Sequence, residues 1–260
     1  MSALQDIKAF LDEKYYHYNQ FAFIEQDPIC IPHQFKKKED IEIAGFFAAT
    51  LAWGNRKTII TNARKLMMWM DESPHDFILN HTKKDLKPFE KFVHRTFNGK
   101  DCLFFISALN AIYLQHGGLE MSFMANLKAE DRSLKNNIMQ FRSKFLESKH
   151  LPRSEKHLSN PQQKSTTKRL CMYLRWMVRQ DQKGVDFGIW KNMSPSLLCL
   201  PLDVHTGNVS RSLGLLSRKQ NDWQAVEEIT HALRKFDPVD PIKYDFALFG
   251  IGVDKLLEDI

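Results

Sequence analysis

Residues 165–180 read STTKRLCMYLRWMVRQ. Placed on a wheel at 100° per residue, Leu170, Tyr173, Leu174, Met177 and Val178 gather on one side. Lys168, Arg175 and Arg179 fall within roughly 40° of one another on the other. The stretch therefore predicts an amphipathic helix, with Ser165 as its N-cap and an end near Gln180. Its apolar side is a core face and its other side a basic stripe.

The same period extends outward in both directions. DIEIAGFFAATLAW (40–53) is apolar over most of its surface, as a buried helix requires, and RKTIITNARKLMMWM (56–70) alternates basic and apolar faces. Ser73-Pro74 reads as an N-cap followed by proline at the first helical position. DCLFFISALNAIYLQHGG (101–118) is predicted to start on Asp101 and stop on Gly117. Helical pattern returns over 132–148, 204–213, 222–235 and 241–249. Strand alternation and Asn-Gly hairpins are missing, so the expected class is all-α. At 260 residues the chain is long enough to bury a proper core, and 19 Phe and five Trp would supply it. The expectation is a single two-lobed helical domain over 1–260, interrupted by one loop.

That loop lies in a biased region. Residues 132–179 hold twelve Lys or Arg against two acids, Glu147 and Glu155. Within them, ESKHLPRSEKHLSNPQQKST (147–166) is polar with two prolines and reads as a long, mobile basic loop. A net charge of +6 and a pI near 9.0 point the same way, towards a polyanionic partner. A solvated linker is the plainer alternative. Cys30, Cys102, Cys171 and Cys199 are too far apart for a metal or iron–sulfur framework, so no cofactor is expected. The first residues lack the apolar run of a signal peptide, and no stretch approaches the ~18 apolar residues of a membrane span. The expected location is cytoplasmic.

Two positions carry candidate chemistry. Lys168 sits in the first turn of its helix, where the positive end of the helix dipole and nearby guanidinium groups disfavour an ammonium. A neutral amine is a nucleophile and can form a Schiff base. A surface lysine on an amphipathic helix is the alternative. The second position lies in PLDVHTGNVSRSLGLL (201–216), a helix with Asp203 as N-cap. His205, Arg211 and the helix start favour phosphate there. Asp203 as a cap and nothing more remains open. Gly207 inside this helix costs about 1 kcal/mol against alanine, which a close approach of another backbone would explain.

Together these segments resemble the helix-hairpin-helix superfamily of DNA glycosylases, and within it the bacterial and archaeal 8-oxoguanine DNA glycosylase/lyases. In that family a catalytic lysine opens a helix with Leu-Arg further along, matched here by Lys168 and Leu174-Arg175. Its aspartate lies in a Leu-Asp-x-His segment, matched by Leu202, Asp203 and His205, 35 residues beyond the lysine. The family's Gly-x-Gly hairpin corresponds to NPQQKSTT (160–167), which has no glycine. The whole chain also resembles an uncharacterised bacterial family, DUF2400, in KRLxMxLRWMVR, PLDxHT and YDFALFGxG.

The glycosylase resemblance implies a DNA repair enzyme that excises an oxidised purine and then nicks the strand. Lys168 would attack C1′ of a flipped-out nucleotide, and Asp203 would assist electrostatically. Ser165, Arg175, Arg179, His205, Arg211, Asn55 and Arg56 would contact DNA. Trp53, in AWGNRK (52–57), and Asp245, in PIKYDFALFGIG (241–252), would border the base. A Gly-Asn turn between core helices is the alternative for the first segment, and a capped local turn for Asp245. The implied partner is damaged duplex DNA, with nucleoid association and neither membrane nor obligate protein partner. Lys168 and Asp203 should then face one cleft. A non-catalytic nucleic-acid-binding module on the same scaffold is the second reading.

Overall fold

The computed structural model describes residues 3–256. Among them run thirteen α-helices: α1 Ala3–Tyr18, α2 Ala22–Gln26, α3 Lys38–Leu51, α4 Arg56–Trp69, α5 Pro74–Asn80, α6 Lys87–Glu90, α7 Gly99–His116, α8 Leu119–Met124, α9 Lys135–Phe145, α10 Lys168–Val178, α11 Val204–Ser212, α12 Trp223–Phe236 and α13 Tyr244–Val253. The single piece of sheet described is an antiparallel ribbon, β1 Val93–His94 with β2 Phe97–Asn98, pairing Val93 with Asn98 and His94 with Phe97. The protein is all-α. None of the described helices is long and apolar enough to cross a membrane.

Proline punctuates this architecture. Six short 3-10 turns begin on Pro28, Pro32, Pro152, Pro161, Pro195 and Pro241, and Pro74 opens α5. The ring fixes φ near the helical value and lacks the N–H that a first turn leaves unpaired, so proline starts turns at little cost.

The chain divides into two compact units. The second comprises Ile24–Ala129 and Lys135–Ser159. Its core is built on α3, buried from Ile41 to Leu51 without a break. Phe46 on that helix lies 5.9 Å from Phe105 of α7 and 5.8 and 5.5 Å from Phe141 and Phe145 of α9, centroid to centroid. Phe123 stacks on Phe141 at 3.8 Å. The Tyr113 hydroxyl donates to Glu42 at 2.7 Å, so the one buried acid of α3 is partnered.

Helix α7 starts two residues earlier than the sequence suggests. Asn98 is the N-cap and Asp101 the third residue, its side chain closing a capping box on the Asn98 amide at 2.9 Å. Gly117 ends the helix at φ 72°, as expected. Asp101 is fully buried and gathers more than a cap needs. Arg153 reaches both its oxygens at 3.0 and 2.9 Å, and the Ser154 hydroxyl donates at 2.6 Å. Burial raises this carboxyl, but Ser154, the Asn98 amide, His157 and Arg153 together hold it below the usual carboxylate range.

These contacts tie down part of the stretch 147–166 that was expected to be a mobile basic loop. Pro152–His157 is a 3-10 turn pinned by Arg153 and Ser154 to Asp101, while Arg142 holds Glu155 at 2.7 Å and the Leu158 carbonyl at 2.9 Å. Asp101→Asn is expected to lower the unfolding free energy by about 1.5–3 kcal/mol, because it weakens the charge-assisted hydrogen bonds from Ser154 and Arg153 to a buried carboxylate. Urea unfolding measures this, and a loss under about 1 kcal/mol would contradict the assignment.

The first unit comprises the described residues up to Phe23, Glu130–Leu134 and the chain from Asn160 onward. Helix α13 packs against both α1 and α11. Two glycines permit that. A Cβ on Gly250 would stand 2.4 Å from the Tyr18 ring, and one on Gly252 would stand 2.9 Å from the His205 Cβ and 3.2 Å from its backbone. Gly250→Ala must displace the root of the Tyr18 ring and break its hydrogen bond to Asp254 (2.7 Å). A cost of about 1–3 kcal/mol is expected, checked by thermal or urea unfolding.

Candidate active site

Lys168 and Asp203 meet. The Lys168 ammonium donates to Asp203 Oδ2 at 2.6 Å, within the first unit. Each residue is there because a helix begins there. Helix α10 opens on Lys168 itself, behind Thr167 held in the left-handed region at φ 53°. Asp203 is the N-cap of α11, its Oδ1 accepting from the Thr206 amide at 3.0 Å while the Thr206 hydroxyl accepts from the Asp203 amide at 2.9 Å. One carboxylate oxygen therefore caps and the other faces the lysine. The Lys168 side chain keeps 30 % of its surface in solvent and that of Asp203 18 %, so the pair is sheltered but reachable. Phe249 of α13 lies under the ammonium, 5.6 Å from ring centroid to Nζ. Burial raises the Asp203 carboxyl, yet the Lys168 charge and the hydrogen bonds from Lys168 and Thr206 bring it below the usual carboxylate range.

Ser165 is not the cap of α10; its hydroxyl accepts from the Thr167 amide at 3.1 Å. The segment 160–167 before the lysine forms a turn without glycine. Asn160 caps the 3-10 turn Pro161–Gln163, and Lys164 and Thr167 both adopt positive φ, 59° and 53°. Non-glycine residues pay for that conformation in strain.

The basic stripe predicted for Arg175 and Arg179 is corrected. Both are buried, at 4 % and 0 % exposure, and both are enclosed by carboxylates. Arg175 contacts Asp186 at 3.2 Å and pairs closely with Asp245. Arg179 reaches Asp181 at 2.8 Å, Asp186 at 3.0 Å, Asp240 at 2.9 Å and the Tyr15 hydroxyl at 2.8 Å. A guanidinium so occupied has no fork left for phosphate. Asp245, expected to border the base, is paired inside the first unit. It is the buried partner of Arg175, and burial pushes its carboxyl up to about 6 against the pull of Arg175 and Lys168. The guanidinium groups expected to crowd Lys168 are thus neutralised where they stand.

Arg211 is likewise spoken for. Its guanidinium grips the carbonyls of Arg218 and Lys219 at 2.9 and 3.0 Å and the Asn221 side chain at 2.6 Å. Asn221 in turn donates to the Asp203 carbonyl at 3.1 Å. Gly207 makes room for this strap, since a Cβ there would stand 2.9 Å from both Arg211 and Asn221. Side chains, not the backbone anticipated from sequence, explain that glycine. His205 is exposed, edge-on to Phe249 at 6.3 Å, and lines a pocket between α11 and α13 with Asn208, Ser212, Gly252 and Lys255.

Trp53, Asn55 and Arg56 belong to the second unit. Asn55 caps α4, accepting from the Thr58 amide at 3.1 Å, so its side chain is committed. Arg56 is exposed; Trp53 is half-buried and stacked on His157 at 5.8 Å. Sequence reasoning missed Asp181, Asp186, Asp240 and Asn221. Asp181 and Asp186, two carboxylates within seven residues after Arg179, were the one readable sign. Among the described residues no three His, Cys, Asp or Glu side chains converge to hold a metal.

Fold and site define an all-α protein that pairs a lysine and an aspartate, each at the start of its own helix, over an aromatic ring. The chain belongs to the family described as Protein of unknown function (DUF2400), whose pattern matches residues 27–254 and so takes in Lys168, Asp203 and Phe249. No curated protein and no solved structure matches it.

Proposed function

We propose that the protein is a DNA repair enzyme, a bifunctional glycosylase and abasic-site lyase that excises a damaged purine through a Schiff base on Lys168. The observation that carries the reading is the 2.6 Å contact between Lys168 and Asp203. A nucleophilic amine must first shed a proton, and Asp203 Oδ2 is the acceptor in contact with it. Attack forms the Nζ–C1′ bond as the C1′–base bond breaks, and the base leaves with the bonding pair and takes up a proton. The proton that the base takes up is the one Asp203 accepted, which restores the carboxylate; the C1′–O4′ bond then breaks with O4′ taking a proton from Nζ, and the carboxylate stabilises the positive charge of the resulting iminium. Loss of a C2′ proton from the iminium expels the 3′ phosphate and nicks the strand.

Support also comes from the capping geometry, which holds the carboxylate with one oxygen turned to the amine. The glycine-free segment 160–167 reaches left-handed backbone at Lys164 and Thr167 all the same. A non-catalytic nucleic-acid module is the second reading, and the closed ion pair favours it to the extent that a purely structural pair has the same form. Incubation with duplexes bearing oxidised purines or abasic sites separates the two. Release of base and a nick on at least one substrate are expected, and intact strands with every substrate would remove the enzyme.

A further inference from the structure

We propose that the second unit carries its own nucleic-acid contact, with Arg95 at the tip of the β1–β2 ribbon as its central cation and the strand phosphates as its ligand. The proposal rests on the reading of the protein as one that works on nucleic acid, but on none of the chemistry at Lys168.

Arg95 is held out at a cost. It is exposed, it takes φ 54° in the left-handed region that disfavours a side chain, and among the described residues its guanidinium makes no hydrogen bond or ion pair. Its surroundings are built to receive it. Gly54 has φ 102°, and a Cβ there would lie 2.6 Å from Arg95 Nη1 and 3.2 Å from its Cδ. The arginine therefore lies across a glycine that only a missing side chain leaves open. Arg153 fixes the ribbon from below, donating to the Thr96 carbonyl at 2.7 Å while it neutralises Asp101.

Two nearby acids are engaged: Asp101 is buried, and Glu155 is held by Arg142. Exposed Lys57 at the start of α4 and exposed Lys100 at the start of α7 add positive charge. Both helix starts add the positive ends of their dipoles. Beside Arg95, Trp53 keeps part of its indole in solvent while stacked on His157 and edged by His94 at 5.1 Å. A planar guanidinium fork beside a braced aromatic ring suits phosphate and a stacked base together. That combination favours nucleic acid over a lipid surface, although exposed Val93 on the ribbon is a feature that anionic lipid would also use.

Arg95→Gly tests this with the fold preserved, because glycine accepts positive φ without strain. Full-length protein is titrated with a fluorescent duplex carrying a stable abasic-site analogue at several salt concentrations. The variant should melt no lower than the wild type, bind roughly five- to tenfold more weakly, and lose about 0.9 from the magnitude of the log–log salt slope, one phosphate contact's worth. Gly54→Ala should weaken binding similarly by displacing the guanidinium. An unchanged slope in Arg95→Gly, or no duplex binding by the wild type, would overturn the proposal. So would Arg95-dependent binding to phosphatidylserine vesicles without binding to the duplex. Trapping at Lys168 is scored separately on a duplex with a true abasic site, whose C1′ aldehyde the stable analogue lacks, so failure of the chemistry and failure of this contact are distinct results.

Discussion

Arg179→Leu is expected to remove about 3–5 kcal/mol of unfolding free energy, enough to leave many domains of this size largely unfolded. Arg179 is wholly buried, and its guanidinium is the shared counter-charge of Asp181, Asp186 and Asp240. Leucine supplies comparable volume but leaves those carboxylates facing one another inside the first unit. Their desolvation, not lost packing, would dominate the cost. The pH dependence separates the two. Burial raises Asp181, but Arg179 and hydrogen bonds from the Lys183 amide and Asn19 bring it to about 2 in the folded protein. A carboxyl depressed on folding contributes stability that is present above its unfolded value near 4 and lost as pH falls towards 2. The wild-type advantage over Arg179→Leu should therefore be full at neutral pH and narrow below about pH 4. Urea unfolding across that range measures it. A deficit independent of pH would mean that packing, not charge, is what Arg179 provides.

Asp203→Asn is expected to slow base release by about 10²–10³-fold while costing little stability. Asparagine caps helices about as well as aspartate, so the bond to the Thr206 amide survives. What disappears is the negative charge facing Lys168. Single-turnover base release with excess protein reads the rate, and thermal unfolding reads the fold. A rate within threefold of wild type would leave Asp203 a cap and nothing more. A large loss of stability would instead assign the effect to structure.

The sequence made Lys168 and Asp203 legible because their positions depend on local rules. Caps, helix period and a lysine in a first turn are all written within a few residues. Arg175 and Arg179 were misplaced because a helical wheel reports angular grouping and not what lies opposite. Their stripe faces Asp186, seven residues beyond Arg179, and Asp240 and Asp245, which the fold alone brings in. Residues 147–166 looked like a solvated loop because proline and charge dominate them. Their prolines instead start 3-10 turns, and Arg153 and Ser154 find Asp101 more than fifty residues upstream. Arg95 went unnoticed for a similar reason. A ribbon of two-residue strands has no alternation to detect, and its meaning lies in a glycine forty residues earlier. Lys168 and Asp203 come from distant segments too, but each announces itself by opening a helix.

Borohydride trapping on an abasic-site duplex, followed by peptide mapping of the adduct, tests the central claim most directly. Reduction fixes the Schiff base as a stable amine, so the protein should shift by the mass of the strand with the cross-link on Lys168. Lys168→Ala should trap nothing while keeping nearly all of its DNA affinity, because it removes one charge among many. An adduct that maps elsewhere or survives Lys168→Ala, or wild-type protein that binds the duplex without ever trapping, would contradict the account.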